Sequence, residues 1–567
     1  MKILEISSYN IGDEITDLRG WVDTVRHHGG LLFFDLRDDN STIQVVTDKP
    51  DDFLNVKNEF YLSITGILNK REAEHINNSS SFGEYEIDLK SLTIISESKT
   101  LPFQIEDTIE VDEVIRLKYR YLDLRRKTMR EKMQYRSDTF KAIRDYMNKC
   151  GINELDTPTL IKSTPEGAKD FLVPSRKSQG KFYALPQSPQ MYKQLFMLSG
   201  MDNYYQIAKC YRDEDSRKDR QPEFTQLDLE ISNGDPETVQ KIIEETVKYV
   251  LKIVYDIELS DPFIKLTYDE SINKYGTDKP DLRINTIIED FTDIFENTEI
   301  SFISETIKKG NPVKGFIINK ILSRSEIDVL DQEVKELGSP GLGWFKIENS
   351  SISGPLAKII NPKETAKLSE YKDSTIIFQA GDIKKISPIL DYLRTELFTY
   401  EGIDDYIFAW IDNFPYFEYE DNELQPSHHP FTSPVNSEDF INNPESAKAL
   451  HYDLVLNGIE LGSGSQRINN PSIQKAVLSK WGLSDNEIDE RFGWFIEALS
   501  YGSPQHAGFA IGLDRFIAEM TRSSSIREVI PFPKTQSGLD PLTDAPAEIS
   551  TLDLKEYGII LDIEDNE

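Results

Sequence analysis

Three arginines stand among acidic residues in the segment from Tyr211 to Glu230. They are Arg212, Arg217 and Arg220, and after Phe224 apolar and polar residues alternate in the way that predicts a strand. A guanidinium binds a phosphate or a carboxylate through two parallel hydrogen bonds and keeps its charge at physiological pH. The segment therefore predicts an anion-binding site beside a strand. A surface hairpin joined by salt bridges is the structural alternative.

Two carboxylates and a glycine-rich run follow in residues 451–467. Asp453 and Glu460 offer hard oxygen ligands of the kind that Mg²⁺ prefers, and a bound Mg²⁺ usually also contacts substrate phosphates. Gly462 and Gly464 would let a ligand approach the backbone closely, although the same run could form an ordinary bulge or turn. We expect a magnesium-binding segment here.

A third segment, residues 501–515, ends in the run Gly512-Leu513-Asp514-Arg515 and leads into a predicted helix over residues 516–520. An arginine beside such a turn suits a polyphosphate chain, so Arg515 is a candidate phosphate ligand. The structural alternative is that Gly508 and Gly512 only permit close packing.

Short strand-like runs fill the first hundred residues. Residues 31–37 and 42–46 are rich in β-branched and aromatic residues and flank the turn Asp38-Asp39-Asn40, and residues 60–66 and 92–95 continue the series. Several short strands in so few residues predict a small barrel, and the OB-fold is the expected type.

The three segments that could carry chemistry lie in sequence that mixes helices and strands. A helical stretch is predicted over residues 114–150, strand-like runs extend over 182–230, and charged residues of the same kind resume at 407 and end near 533. Residues from about 280 to 400 contain strands and helices but none of the three segments. The pattern predicts a multidomain α+β protein whose chemistry-bearing domain is interrupted by an insertion.

Bulk properties limit the class of protein. The chain has 567 residues, of which 38% are hydrophobic and 29% charged, and this predicts several folded domains. No apolar run approaches the ~20 residues that cross a bilayer, and the first residues lack the apolar core of a secretory signal. Two cysteines, Cys150 and Cys210, exclude a disulfide framework and a cysteine-built zinc site. We therefore expect buried thiols in a cytoplasmic protein without membrane partners.

The net charge of −34 at first argues against a nucleic-acid partner, because lysines and arginines drive phosphate binding. Global charge, however, reports solubility and the general field rather than local recognition. Basic residues do cluster between Arg116 and Lys127, where a solvated helix face is the alternative interpretation.

The three segments, together with Pro158 after the long helix, resemble the three signature motifs of class II aminoacyl-tRNA synthetases in order and in spacing. The resemblance covers nearly the whole chain and narrows to the aspartyl-tRNA synthetases of the bacterial type. It implies an aminoacyl-tRNA ligase that uses ATP to form aspartyl-adenylate and pyrophosphate and then transfers aspartate to the 3′ end of a tRNA. Its specific markers are Thr164-Pro-Glu-Gly-Ala168, Gln187-Ser-Pro-Gln-Met-Tyr-Lys193, Arg212-Asp-Glu-Asp215, Asp219-Arg-Gln-Pro-Glu-Phe-Thr225, His428-His-Pro-Phe-Thr-Ser-Pro434 and Gly512-Leu-Asp-Arg515.

The same resemblance implies a domain order and a homodimer formed through the first motif, around residues 140–158. The expected domains are an OB-fold anticodon-binding barrel in 1–102, a hinge in 103–125, a class II catalytic domain with an antiparallel sheet in 126–279 and 403–535, an inserted α/β GAD domain in 280–402, and a carboxyl-terminal extension in 536–567.

By resemblance, Lys193 and Arg467 bind the β-carboxylate of aspartate, and Asp228 orients these two cations. Asparagine lacks that charge, and a buried pair of cations without its carboxylate is costly, so the site is expected to reject asparagine. The other residues expected around the amino acid are Glu166 on a mobile loop that closes over it, Ser188, Gln190 and Gln226 on the amino-group side, and His428 and His429 above it. For the adjacent histidines, a metal site or solvated loop residues are the alternatives.

The resemblance also assigns the nucleotide side. Arg212 is expected to bridge the attacking carboxylate and the α-phosphate, which makes it the catalytic residue. Asp453 and Glu460 are expected to hold Mg²⁺ and Arg515 to bind the γ-phosphate. The remaining ATP contacts are expected from Asp213, Glu214, Gln221, Gly512, Leu513 and Asp514.

On the tRNA side, Phe33 is expected to stack on the central anticodon base, with a hydrogen bond from Gln44 and support from Arg26. Core packing is the alternative for Phe33. In this family, histidine at the position of His28 accompanies enzymes of relaxed specificity, which aspartylate both tRNA(Asp) and tRNA(Asn). A second such position lies near Glu74, where enzymes of relaxed specificity have glycine instead. We expect the relaxed specificity.

Three other functions are compatible with parts of the same sequence. Lysyl- and asparaginyl-tRNA synthetases are sister enzymes, but two cations in the amino-acid pocket argue against lysine as the substrate. A catalytically inactive paralogue that only binds RNA or a partner protein is a second alternative, and a tRNA-independent ligase of the same fold is a third. Ser463 in place of a glycine and the unusual run 533–538 depart from the family pattern without touching a named catalytic residue.

Overall fold

The structure is a computed structural model that describes the chain except residues 40, 54, 79, 109, 165–166, 350, 400–404, 421–422 and 563–567 and the side chain of residue 420. The chain divides into two compact units, Met1–Glu131 with Pro541–Thr543, and Lys132–Asp540 with Asp544–Glu567. The predicted hinge, residues 103–125, belongs to the first unit.

The first unit contains a closed five-stranded barrel with the strand order β1-β2-β3-β5-β4. The four predicted runs fall in or against its strands, and the small barrel is confirmed. The long first strand was not predicted, because its pairing is interrupted by bulges near Ile15 and Val22. The strands are β1 (Glu14–His28), β2 (Leu31–Arg37), β3 (Thr42–Thr47), β4 (Tyr61–Lys70) and β5 (Tyr85–Ser96), with short 3₁₀ helices at Ile3–Ser8, Pro50–Phe53 and Ala73–His75.

The basic cluster that follows the barrel is engaged in ion pairs rather than solvated. Arg120 is 2% exposed and donates to Asp123 at 2.6 Å, and Arg126 donates to the same carboxylate at 3.0 Å. Arg125 donates to the buried Glu59 of the barrel unit at 2.6 Å. The alternative of a solvated helix face is therefore wrong for these three arginines. The predicted helical stretch consists of α1 (Glu113–Lys118), α2 (Arg120–Asp123) and α3 (Lys127–Lys149).

The second unit is built on a seven-stranded sheet with the order β10-β16-β19-β20-β21-β9-β8. Neighbouring strands are antiparallel except β10 and β16, which are parallel. Its first part comprises β6 (Leu172–Pro174), β7 (Phe182–Ala184), α4 (Gln190–Leu198), β8 (Asn203–Tyr211), β9 (Glu223–Ser232), α5 (Pro236–Tyr255), β10 (Ile264–Thr267) and α6 (Tyr268–Tyr275).

The insertion carries its own antiparallel five-stranded sheet, in the order β11-β12-β15-β13-β14, with two apolar clusters. The predicted mixture of strands and helices is confirmed, and the identity of this block as a GAD domain stays a prediction. Its elements are β11 (Glu289–Asp290), α7 (Ser301–Lys308), β12 (Val313–Ile318), α8 (Arg324–Glu336), β13 (Gly343–Glu348), β14 (Ser351–Ser353), α9 (Pro362–Leu368), β15 (Ser374–Ala380) and α10 (Ile383–Leu397).

The remainder of the second unit returns to the seven-stranded sheet. Its elements are β16 (Phe408–Asp412), β17 (Phe417–Glu420), β18 (Glu423–Pro426), α11 (Ser437–Asn442), β19 (His451–Leu456), β20 (Ile459–Gln466), α12 (Pro471–Lys480), α13 (Asp485–Leu499), β21 (His506–Gly512), α14 (Leu513–Met520) and α15 (Thr551–Tyr557), with 3₁₀ turns at Pro444–Ser446 and Ile526–Glu528.

One face of the large sheet packs on helices and the other carries polar groups. Leu227 and Leu229 of β9 join the main apolar cluster with residues of α3, α5 and α14. Because side chains alternate along a strand, the residues between them, including Asp228, face the opposite side, where α4 contacts β8 and β9. The sheet therefore separates a core face from a face that can hold a site.

Three sequence expectations are corrected. The run over 182–230 is not strand throughout, because α4 interrupts it; its buried face holds Gln190, Lys193 and Gln194, which hides the apolar period. The glycine-rich run forms the interior of β20 rather than a turn, and a Cβ at Gly462 would lie 2.1 Å from the Ala510 carbonyl oxygen.

The third concerns the thiols: Cys210 is buried as expected, whereas Cys150, at the end of α3, is exposed. In the described part of the chain, no helix combines the length and the apolar content that crossing a membrane requires.

Candidate active site

Four buried charges meet on the polar face of the large sheet. The Lys193 ammonium, from α4, lies 2.6 Å from Asp228 Oδ1 and 3.2 Å from Glu230 Oε2 on β9. The Arg467 guanidinium, just after β20, donates from Nε and Nη2 to the two oxygens of Glu230 at 2.9 and 3.1 Å. None of the four residues is more than 5% exposed. The two cations predicted to bind a carboxylate are thus brought together.

Glu230, which sequence reasoning did not identify, is the residue that contacts both cations. Asp228 was expected to orient both, but among the described residues it accepts a hydrogen bond from Lys193 and none from Arg467. Glu230 stands two positions after Asp228, so the two carboxylates project from the same face of β9. That i, i+2 spacing on a predicted strand is the signal that could have found it.

The environment sets the ionisation of these carboxylates. Burial acts to raise the pKa of Glu230, but the attraction of Arg467 and Lys193 outweighs it and holds that pKa below its ordinary value. For Asp228, burial is the larger effect and raises the pKa despite the nearby Lys193. Glu230 is therefore the carboxylate of the cluster that most readily stays ionised.

A glycine makes room for that anion. A Cβ at Gly508, on the neighbouring β21, would lie 1.8 Å from Glu230 Oε2. The interpretation of Gly508 as a residue that permits close packing is thus confirmed, and what packs there is the carboxylate of the site. Ser465 completes the frame by accepting a hydrogen bond from Arg467 Nη1 at 2.7 Å.

The side of the pocket predicted to face the amino group holds unsatisfied polar atoms. Gln190 Nε2 and Asp228 Oδ2 are buried and have no hydrogen-bond partner within the described ranges. Buried polar groups are normally paired, so such atoms mark a place where a ligand can supply the partner. Ser188 Oγ accepts from the Gln190 backbone N–H at 3.3 Å, and Gln226 accepts from the Cys210 thiol at 3.2 Å. Glu166 lies outside the described residues.

The two predicted histidines take different environments. His428 Nε2 lies 2.9 Å from the Pro415 carbonyl oxygen, and its ring stacks on His451 at a centroid distance of 4.1 Å. Burial, reinforced by His451, lowers the pKa of His428 well below its ordinary value, so this imidazole is neutral. The His429 ring packs against Phe431 at 5.2 Å. Both residues stay predictions as aspartate contacts.

A cleft of about 280 Å³ opens beside the charged cluster, where β9, β20 and β21 end. Gln226 lines it, two residues before Asp228 on the same strand. Of the predicted ATP contacts, the cleft brings together Arg212, Glu214, Gln221, Glu460, Gly512, Asp514 and Arg515. It does not include Asp213, which lines a neighbouring pocket, or Leu513, which is 1% exposed in the main apolar cluster.

Arg212 is available for an anion. Its guanidinium carbon lies 5.1 Å from the centre of the Phe224 ring, an arrangement that holds the cation without neutralising it. Within the ranges that the structure covers, Arg212 has no carboxylate partner, and Arg220 pairs with Glu214 only at 3.7 Å. The segment does form a hairpin, but it is not one joined tightly by salt bridges.

Two of the predicted ATP contacts already have hydrogen-bond partners within the protein. Asp514 accepts from Arg136 Nη1 at 2.5 Å and from the Thr225 backbone N–H at 2.7 Å. The Gln221 amide donates to the Lys534 carbonyl oxygen at 3.1 Å and accepts from the Lys534 N–H at 2.8 Å. Both side chains therefore hold the walls of the cleft in place. Arg136, on α3, does so too, and sequence reasoning missed it.

The candidate metal ligands are two carboxylates on the hairpin of β19 and β20, of which Asp453 is buried and Glu460 is half-buried. Burial raises the pKa of Asp453 to about 8, and the pKa of Glu460 is raised by burial and by Asp453. Ionisation of both carboxyl groups is thus unfavourable at this site, and a bound divalent cation would favour it. Within the described ranges, no group of three or more His, Cys, Asp or Glu is arranged to hold a metal. Two carboxylates plus substrate phosphates suit Mg²⁺, so the residues fit it.

Arg515 lies beside this hairpin. Its Nη1 donates to the Glu460 carbonyl oxygen at 2.5 Å, and its Nη2 lies 3.2 Å from Asp219 Oδ2. Asp219 is more than half exposed, so that contact is weak and can be exchanged for a phosphate.

In the barrel unit, the predicted anticodon residues share the outer face. Arg26 is paired in register with Phe33, and Gln44 with Asp35. Arg26 Nη2 lies 2.9 Å from Asp35 Oδ2, and Gln44 Nε2 donates to Glu86 at 3.1 Å. Phe33 is half-buried and outside the apolar cluster of the barrel, which contains its neighbours Leu32 and Phe34, so the core alternative is wrong.

The two positions expected to bear on tRNA choice, His28 and Glu74, are both exposed. His28 is the last residue of β1, and Glu74 belongs to the short 3₁₀ helix Ala73–His75.

Comparison with known families decides the identity. The model of the tRNA synthetases class II (D, K and N) matches residues 112–536, and that of the OB-fold nucleic acid binding domain matches residues 17–95. The chain belongs to the class II tRNA synthetases. The predicted membership and the predicted fold class are confirmed.

Similar proteins match nearly the whole chain. A protein of Dictyoglomus turgidum is 45% identical over 98% of this chain and 97% of its own length, and one of Hydrogenobaculum is 44% identical over 96% of each. Both are named aspartate–tRNA(Asp/Asn) ligases.

Solved structures of the same class share the fold. Asparaginyl-tRNA synthetase from Pyrococcus horikoshii, complexed with asparaginyl-adenylate, has a TM-score of 0.59 at 19% identity, covering 94% of this chain and 98% of that one. Aspartyl-tRNA synthetase from Entamoeba histolytica has a TM-score of 0.55 at 19% identity, covering 92% of this chain and 89% of that one.

Proposed function

We propose that this class II synthetase is an aspartate–tRNA ligase. The observation that carries the proposal is the buried pair Lys193 and Arg467, held by Glu230 beside the nucleotide cleft. A site with two paired cations is complementary to a carboxylate side chain. The full-length relatives named aspartate–tRNA(Asp/Asn) ligases support the same substrate.

The proposed first step is formation of aspartyl-adenylate. The α-carboxylate of aspartate attacks the α-phosphorus of ATP, a new phosphorus–oxygen bond forms, and the bond to pyrophosphate breaks. Arg212, held over Phe224 without a carboxylate partner among the described residues, stabilises the charge that spreads over the reacting oxygens. In the second step a ribose hydroxyl at the 3′ end of the tRNA attacks the carbonyl of the adenylate, and AMP leaves.

Asp453 and Glu460 are the residues that would hold Mg²⁺, which supplies positive charge to the polyphosphate when bound. Arg515, at the edge of the same hairpin, is placed to take the terminal phosphate by exchanging its contact with Asp219. No enzyme nucleophile is required, because each step is a direct attack by one substrate on another.

Selection against asparagine follows from the same cluster. Asparagine has nearly the shape of aspartate but brings no charge, so it would leave Lys193 and Arg467 buried without their third anion. Sites that depend on polar matching of this kind reject an isosteric analogue by roughly 10⁴–10⁵ without editing.

We further propose that the enzyme aspartylates both tRNA(Asp) and tRNA(Asn), works in the cytoplasm and is a homodimer. The exposed His28 at the end of β1 and the names of the relatives support the relaxed tRNA scope. The dimer rests on the family resemblance, and light scattering at working concentration tests it: a mass of one chain would refute it.

Charging of labelled aspartate onto transcripts of tRNA(Asp) and tRNA(Asn), with ATP and Mg²⁺, tests the function. Charging of both is the expected result, and His28→Leu should reduce charging of tRNA(Asn) more than that of tRNA(Asp). Charging of tRNA(Asp) alone would refute the relaxed scope only. Charging of neither would favour the inactive paralogue.

A further inference from the structure

A lysine ammonium lies among the carboxylates proposed to hold the metal. Lys279 Nζ is 3.5 Å from Glu460 Oε2 and lies 3.1 and 3.2 Å from the two oxygens of Asp278. The Lys279 side chain is half-buried and, like lysines in general, carries a positive charge at neutral pH. The Asp453–Glu460 pair thus has an internal cation, and the function proposed above gives Lys279 no role.

The chain on both sides of Lys279 is held by the last helix of the inserted block. On one side, Gly276 has a φ of 82°, and a Cβ there would lie 2.5 Å from the Ser387 carbonyl oxygen of α10. On the other side, Arg394 of α10 is fully buried and donates from Nη1 to the carbonyl oxygens of Asp281 at 3.0 Å and Ile284 at 3.3 Å. The inserted block therefore determines where this short segment runs.

The same segment also contacts the hairpin that carries the carboxylates. The turn between β19 and β20 contains Gly458, with a φ of 89°, and a Cβ there would be 3.4 Å from Asp281 Cβ. A continuous line of contacts thus runs from α10 through residues 276–284 to the hairpin with Asp453 and Glu460.

We propose that Lys279 is the built-in counter-cation of the Asp453–Glu460 pair and that helix α10 of the inserted block sets its position. A divalent cation that binds these carboxylates must compete with the Lys279 ammonium, because two positive groups beside one carboxylate repel each other. The inserted block thereby adjusts how tightly the site takes a divalent cation. The inference rests on the metal-binding role proposed above for Asp453 and Glu460.

The test is a Mn²⁺ titration of the full-length, metal-free protein without ATP, in which the loss of the free Mn²⁺ resonance reports binding. Lys279→Met keeps the apolar stem and removes the charge, so Mn²⁺ should bind about tenfold more tightly. Lys279→Arg keeps the charge and should bind as the wild type does. Asp453→Asn should weaken binding, and this result would show that the ion binds at this hairpin.

Mn²⁺ affinity that is unchanged or lower in Lys279→Met, including no detectable binding in either protein, would overturn the proposal. An affinity that Asp453→Asn leaves untouched would do so as well, since the ion would then lie elsewhere. Failure of the wild type to aspartylate tRNA would overturn the proposed function instead, and the Mn²⁺ titration does not depend on that activity.

The role of the inserted block has its own variant. Gly276→Ala should displace the segment from α10 and also tighten Mn²⁺ binding, by about threefold to tenfold. Gly310→Ala is the matched control, because Gly310 lies in the inserted block with a similar φ of 79° but has no atom within 4 Å of its Cβ position. If Gly276→Ala does not fold, Arg394→Lys weakens the other contact of α10 with this segment, the one to Asp281 and Ile284, while keeping the charge. Unchanged Mn²⁺ affinity in the folded variant would refute the part assigned to the inserted block.

Discussion

Glu230 accepts hydrogen bonds from Arg467 through both of its carboxylate oxygens, Oε1 from Nε at 2.9 Å and Oε2 from Nη2 at 3.1 Å. The second oxygen also lies 3.2 Å from Lys193 Nζ. One fully buried carboxylate therefore fixes the geometry of both cations that we propose to face the substrate. The amino-acid pocket depends on this arrangement as much as on the cations themselves.

Glu230→Gln should damage both stability and substrate activation. An amide keeps the shape but presents an N–H group to one of the cations, and removing one partner of a buried ion pair costs about 3–5 kcal/mol. Aspartate-dependent ATP–pyrophosphate exchange should fall by about 100-fold or more, because the cations lose their alignment. Glu258→Gln, which removes an exposed ion pair with Lys252, is the control and should change neither quantity. An exchange rate near that of the wild type would contradict this role of Glu230.

Gly508→Ala should affect the same pocket through sterics alone. A methyl group 1.8 Å from Glu230 Oε2 must displace the carboxylate, so the apparent KM for aspartate should rise and kcat should fall, together by about 100-fold. Gly493→Ala is the matched control, because nothing lies within 4 Å of its Cβ position on α13, and it should gain about 0.5–1 kcal/mol of stability. Steady-state exchange kinetics at varied aspartate concentrations give the comparison.

Asp453→Asn should change the pH dependence of unfolding in the presence of a chelator. Burial raises the pKa of Asp453 from 3.8 to about 8, so between these values the folded chain keeps a proton that the unfolded chain has lost. Stability contributed by this group therefore falls as pH rises through that window. The variant should unfold at a higher temperature than the wild type at pH 9, and the difference should shrink as the pH is lowered towards 4.

Thermal unfolding followed by circular dichroism measures this difference. Asp261→Asn, at an exposed position, serves as the control and should follow the wild type at every pH. A variant that is less stable than the wild type at pH 9 would show that the ionised carboxylate stabilises the fold, contrary to the expectation.

Phe33→Leu should weaken tRNA recognition without touching amino-acid activation. Stacking of a base on an aromatic ring contributes about 1–3 kcal/mol, so kcat/KM for tRNA should fall by roughly 5-fold to 150-fold. Phe33→Tyr keeps the ring and should stay close to the wild type. Aspartate-dependent pyrophosphate exchange should be equal in all three proteins, because it requires no tRNA. A loss of exchange in Phe33→Leu would point to misfolding rather than to recognition.

Much of the fold could be predicted because local patterns dominate it. The alternation in residues 31–37 and 42–46 specifies which side chains enter the barrel, and the structure places Phe34 and Val45 inside accordingly. Helix α4 escaped prediction because its buried face carries Gln190, Lys193 and Gln194 beside two methionines, and the partners of Lys193 and Gln194 lie on other elements. A helix whose buried face is largely polar can be recognised only when the partners of those polar residues are known.

The sequence by itself determined the chemistry of this synthetase: the arginines, the carboxylates and the glycines of three segments, their order, and the domains that carry them. Residue type sets which ligand a side chain can take, and short-range spacing sets strand or helix, so both can be inferred from the chain alone. The tertiary structure decided how those groups pair. Glu230 became the partner of Arg467, 237 positions away, and Lys279 the partner of Glu460, because sheet order and the inserted block bring them within hydrogen-bond and ion-pair range. Such contacts depend on packing between distant elements, and no local pattern encodes them.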